Sequence, residues 1–109
     1  MTNKRIVLST AGSHEEARKI AHHLVDHQLA ACVNVVPGIE SVYRWHGKVE
    51  SNREWLLLIK TSTDHFASVR DAIRELHSYE LPECIALTID EGSSEYLDWL
   101  ADSLGEGSS

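Results

Sequence analysis

The sequence predicts an α+β domain in which strands and helices follow one another as β-α-β-β-α-β, closed by a further helix. Three observations carry this. Two stretches repeat apolar residues at three- and four-residue spacing, as amphipathic helices do. A long central stretch, Leu29 to Thr61, reads as two strands folded back on each other. Short apolar runs, Ile6–Ser9 and Cys84–Asp90, stand before the first helical pattern and after the second. Right-handed crossovers place both helices of such an order on one face of the sheet, which is a ferredoxin-like sandwich.

In chain order, Ile6–Ser9 is the first strand and Gly12 ends the turn after it. Ser13 and Glu16 have the spacing of a capping box, serine accepting from a backbone N–H and glutamate reaching back. Ala17, Ile20, Ala21, Leu24 and Val25 then form an apolar helical stripe that ends near His27 or Gln28. Thr61–Asp64 offers N-cap side chains to a second helix, whose stripe is Phe66, Val69, Ile73 and Leu76. Pro82 cannot continue a helix and pushes Leu81 towards extended geometry. Cys84–Asp90 is the last full strand. Gly92, Ser93 and Ser94 break the chain before a short helix marked by Tyr96, Leu97, Trp99, Leu100 and Leu104. Residues 1–104 make one domain, and 105–109 a small polar tail expected to be flexible.

The central hairpin organises the rest. Ile39, Ser41, Tyr43 and Trp45 alternate with Glu40, Val42, Arg44 and His46, the period-two pattern of a strand. Pro37 and Gly38 interrupt or bulge it, since proline lacks an N–H and glycine weakens a strand. His46-Gly47 is the turn, where a glycine tolerates positive φ. The chain returns through polar Lys48–Asn52 into Trp55–Ile59, a continuous apolar run expected to be covered on both faces. Extended, Val33 to Trp45 spans about 40 Å at roughly 3.3 Å per residue. A compact domain of this length has a radius of gyration near ~13 Å. The hairpin should therefore overhang its own domain, and its aromatic tip is most simply covered by another copy of the chain.

Composition narrows the function. An apolar fraction of 42% is enough for a real core. The net charge of −7 comes without a basic block, which argues against nucleic-acid binding, because phosphate recognition needs clustered Lys and Arg. No stretch approaches the roughly 20 apolar residues that cross a bilayer. Cys32 and Cys84 belong to no Cys-x-x-Cys pair and sit in apolar settings, which reads as buried reduced thiols. With no cleavable signal pattern at the N-terminus, the expected compartment is the cytoplasm.

Four stretches, Leu29–Lys48, Glu54–Thr61, His77–Glu83 and Tyr96–Leu100, together resemble the divalent-cation tolerance (CutA) family. The run Leu29 to Lys48, LAACVNVVPGIESVYRWHGK, is similar to its central motif, and Glu54–Thr61 to its next strand. His77-Ser78-Tyr79-Glu80-Leu81-Pro82-Glu83 resembles its His-Pro-Tyr-x-x-Pro-Glu motif, and Tyr96-Leu97-Asp98-Trp99-Leu100 its C-terminal motif. The resemblance covers nearly the whole chain with the motifs in order. It implies a ferredoxin-like homotrimer with long strands of neighbouring subunits paired, and an association with copper and other divalent metals. Ser78 replaces the motif proline. Ser9 stands where some members have a cysteine, and Leu76 where some have a second histidine. Of the copper-ligand set proposed for such members, His77 remains.

His77 is thus the candidate metal ligand, with copper or another divalent ion as its metal and Glu83 as a helper; a protonated histidine at a helix C-terminus is the structural alternative. No cofactor is expected to be needed for folding. His23 and His27 stand four apart on one helix face, a chelating spacing, but a lone pair lacks the three or four ligands of a zinc site. Tyr43, Trp45, Lys60, Tyr79 and Glu83 are candidates for a polar-aromatic cleft where subunits meet, holding a small molecule or anion; an interface with satisfied polar groups is the other reading. Lys60 and Glu83 are a candidate buried pair. No nucleophile elbow, phosphate loop or His-Glu-x-x-His motif is present, so an enzyme is not expected. The expected function is a homotrimeric divalent-cation tolerance protein. A trimeric small-molecule sensor or adaptor and a structural or protein-interaction trimer are its alternatives.

Overall fold

A computed structural model describes residues 2–107. Its elements are β1 (Lys4–Ala11), α1 (His14–Asp26), β2 (Cys32–Trp45), β3 (Lys48–Ser62), α2 (Phe66–Leu76), β4 (Ile85–Thr88) and α3 (Ser94–Ser103), with one turn of 3-10 helix at Thr63–His65 before α2. The four strands form one antiparallel sheet in the order β2-β3-β1-β4. This is the ferredoxin-like sandwich that the sequence predicts.

Register explains which residues meet the helices. Val7 pairs with Ile59 and Ser9 with Leu57, while Val33 and Val35 lie across from Ile59 and Leu57. Paired residues share a face, so these side chains line one side of the sheet. Against it pack Ala17, Ile20 and Leu24 of α1 and Val69, Ala72 and Ile73 of α2. Ser9 is fully buried on that side, and among the described residues its hydroxyl has no hydrogen-bond partner.

The opposite face is open. Ile6, Leu8, Leu56 and Leu58 are only half-buried, and Ile85 and Leu87 of β4 are 52% and 51% exposed. Trp55–Ile59 is therefore covered on one face, not two, within a single chain. α3 shields one end of the open side: Leu100 and Leu104 pack on Ala31 and Ile89, and Lys60 reaches Tyr96.

The hairpin is as long as the sequence implies. Two residues, Pro37 and Gly38, stand opposite one between the pairs Val36–Leu56 and Ile39–Glu54. That bulge keeps Val36 and Ile39 on one face despite their odd spacing. His46 and Gly47 both have positive φ, 51° and 80°, as a two-residue primed turn requires. The molecule measures 49 × 25 × 23 Å with a radius of gyration of 14.5 Å, and β1 stops at Ala11 opposite Trp55. From Glu54 outward the hairpin has no third strand among the described residues.

Several boundaries differ from expectation. β4 spans four residues rather than Cys84–Asp90: its ladder with β1 runs from Leu8 opposite Ile85 to Arg5 opposite Thr88, and beyond it Ile89 N–H adds one bond to the Lys4 carbonyl at 3.1 Å. Ser13 caps α1 by accepting from Glu16 N–H at 3.1 Å, but the Glu16 carboxylate does not reach back. It accepts instead from Ser78 N–H at 3.2 Å. The expected N-cap side chains before α2 are used elsewhere: Thr61 donates to the Leu29 carbonyl at 2.7 Å, and no side chain caps the 3-10 turn or α2. Glu106, in the stretch assigned to the tail, is tied down by Lys4 Nζ at 2.9 Å and Ser62 Oγ at 2.6 Å; residues 108–109 of that stretch lie outside the described residues.

Candidate functional site

Where β3 runs past the end of β1, a cavity of about 640 Å³ opens. Its walls come from three places. β2 contributes Tyr43 and Trp45, β3 contributes Asn52 and Glu54, and the segment after α2 contributes Tyr79 and Glu83. Register puts Tyr43 opposite Glu50 and Ile39 opposite Glu54, so Tyr43, Trp45, Asn52 and Glu54 share the open face. The bulge at Pro37-Gly38 makes this possible. Thr10, near the end of β1, closes the inner side.

Glu54 is the buried charge of the site. Only 5% of it is exposed, and the Tyr79 hydroxyl donates to its Oε2 at 2.6 Å. Burial pushes the Tyr79 hydroxyl far above its usual pKa, and the hydrogen bond and charge of Glu54 push it further. It therefore stays protonated and remains a donor at any physiological pH. Gly12 fits this arrangement because a Cβ there would lie 2.8 Å from the Tyr79 oxygen. Glycine is the residue that allows such an approach.

His77 holds the same segment from beneath. Its side chain is fully buried. Tyr79 N–H donates to Nδ1 at 3.0 Å, so Nδ1 carries the lone pair, and Nε2 carries the proton that it donates to the Thr10 carbonyl at 2.6 Å. Glu16 Oε1 lies 3.3 Å from Nδ1. Both ring nitrogens are engaged, and in this geometry His77 is a structural cross-brace between β1 and the segment after α2. No group of three His, Cys, Asp or Glu side chains converges to hold a metal ion among the described residues.

The structure brings together four of the five cleft residues named from the sequence: Tyr43, Trp45, Tyr79 and Glu83. Lys60 lies elsewhere. Its Nζ is 3.3 Å from the Tyr96 hydroxyl and 5.5 Å from the centre of that ring, and among the described residues it forms no ion pair with Glu83. His23 and His27 stack at 4.1 Å on the outside of α1, with His27 Nδ1 bonded to the His23 carbonyl at 2.9 Å. Sequence reasoning missed Glu54, Asn52 and Gly12. A glutamate heading an otherwise apolar strand was the available signal for the first. Nothing local marks the other two, whose roles depend on the hairpin register and on Tyr79.

The family model described as CutA1 divalent ion tolerance protein matches residues 5–103. The divalent-cation tolerance protein CutA of Thermus thermophilus is 50% identical over 102 residues, covering 94% of this chain and 99% of the relative. Its solved structure superposes with a TM-score of 0.90 over 92% of this chain and 97% of that one. The CutA crystal structure from Xylella fastidiosa, 39% identical, gives a TM-score of 0.92 over 94% of this chain and 99% of the other. Protein CutA, chloroplastic, of Arabidopsis thaliana is 47% identical over 98 residues, which is 90% of this chain but 54% of the plant protein.

Proposed function

Because this chain belongs to the CutA1 divalent ion tolerance family, we propose that it serves divalent-cation tolerance as a homotrimer. In that assembly the open sheet face and the overhanging hairpin of each subunit are covered by its neighbours. The observation that carries this reading is the uncovered apolar face of Ile6, Leu8, Leu56, Leu58, Ile85 and Leu87, continuous with a hairpin that runs past its own domain. Leaving such a surface in water is costly, at roughly 25 cal/mol per Å² of apolar area. Contiguous apolar patches of this kind mark association sites.

Copper or another divalent metal is bound by donors from more than one subunit, since the described residues of one chain bring no three donors together. His77 already braces the loop through both ring nitrogens, which supports placing the donors elsewhere. Calorimetry with Cu²⁺ and Zn²⁺ tests this on the assembled protein and on His77→Ala. We expect binding heats in both. Loss of the heat in His77→Ala, with the assembly intact, would restore His77 as a ligand. Cys32 and Cys84 are both unpaired, which supports a reducing compartment such as the cytoplasm.

A second reading rests on the cavity. A concave site of about 640 Å³ with convergent aromatic and polar groups is the size and make-up of a small-molecule pocket. It supports a sensor or adaptor role, with ligand occupancy read out through the hairpins.

A further inference from the structure

Resting on that second reading, we propose that the cavity selects a small organic cation, an amine or quaternary ammonium, over anions and bare metal ions. Glu54 is the first ground. A glutamate that is 5% exposed as a residue ordinarily pairs with a cation, since burying an uncompensated charge is expensive. Here, among the described residues, its one hydrogen-bond donor is the neutral Tyr79 hydroxyl, and no Lys, Arg or His forms an ion pair with it. Arg44 is the cationic side chain on the cavity wall, and its Nη1 is given to the Gly47 carbonyl at the hairpin turn, 3.2 Å away. Apart from the Tyr79 hydroxyl, the Glu54 carboxylate has no side-chain partner among the described residues, and it borders the cavity.

The walls are the second ground. Tyr43, Trp45 and Tyr79 line the space with Glu54, and Glu80 and Glu83 add two carboxylates. Aromatic faces beside carboxylates attract diffuse organic cations through the ring quadrupole, as aromatic cages do. An anion would meet three carboxylates and one committed arginine. A hard metal ion needs six or more oxygen ligands held close, and no three carboxylates converge here among the described residues. One buried carboxylate under aromatic walls suits an ammonium group, which needs one charge partner and an apolar surround.

The test compares choline with neohexyl alcohol, which has the same shape with carbon in place of the charged nitrogen, and with sulfate. Each is titrated into the full-length protein by calorimetry. We expect choline to bind about tenfold more tightly than the alcohol, the scale of a desolvated cation–π contact joined to a charge. Glu54→Gln should remove that preference. Trp45→Leu should weaken it as a second, independent variant, with thermal unfolding confirming that each is folded. Equal binding of choline and the alcohol would overturn the cation assignment while leaving a working pocket. Tighter binding of sulfate would overturn it too. Binding of none of the three would remove the small-molecule reading itself.

Discussion

Glu54, Tyr79 and Gly12 show how one site depends on three distant positions. The Tyr79 hydroxyl reaches Glu54 across 25 residues of sequence and does so over Gly12, where an added methyl would sit 2.8 Å from the phenol oxygen. Gly12→Ala should therefore displace Tyr79 and break the bond to Glu54, destabilising the fold by about 1–3 kcal/mol through overpacking. Urea unfolding checks it; an unchanged midpoint would mean that Tyr79 moves at no cost. His77 illustrates the limit of reading such residues from sequence. Its position at the end of the second helical stripe was legible. Its bond to the Thr10 carbonyl, 67 residues away, was not, and that bond separates a brace from a ligand. Glu54 was hidden for the opposite reason: a single carboxylate heading an apolar strand has no meaning until Tyr79 is placed beside it.

Elements were legible where their signals are local. Alternation between Ile39 and Trp45, the Pro37-Gly38 interruption and the His46-Gly47 turn each act over a few residues, and all three appear in the hairpin. The helical stripes likewise predicted most of the buried side chains of α1 and α2, but Val25 of the first is 41% exposed and buried Ala72 of the second lies outside the predicted stripe. Where partners decide, the sequence was silent. The extent of β4 depends on its ladder with β1, and the anchoring of the C-terminal stretch on residues distant in sequence. Glu106 joins Lys4, Ser62 and His65, with His65 Nδ1 at 3.1 Å. Burial alone would raise its carboxyl pKa. Hydrogen bonds from Ser62 and Lys4, with the charges of Lys4 and His65, outweigh burial and hold it below the usual carboxylate range. A lowered folded-state pKa means stability that is present above the unfolded value, near ~4.3, and lost as pH falls through the folded one. Glu106→Gln should lower stability at pH 7 by about 1 kcal/mol, the scale of a charge-assisted hydrogen bond, and the difference from wild type should vanish in acid. Thermal unfolding from neutral to about pH 3 reads it out. Parallel profiles would show that the Glu106 contacts do not stabilise the fold.

The whole molecule is an unfinished object. One sheet face is packed by two helices. The other carries half-exposed aliphatic side chains, with Trp99 46% exposed beside it on α3. A chain of this size has little core to spare, so in the proposed trimer covering that face with sister subunits would add burial that one copy lacks. Assembly would also enclose the cavity at the root of each hairpin, linking cation handling, ligand and quaternary structure in one account. Light scattering after size exclusion, in dilute neutral buffer, tests this most directly. We expect a particle of three times the chain's 12.2 kDa that persists on dilution; a cooperatively folded particle of 12.2 kDa would contradict it.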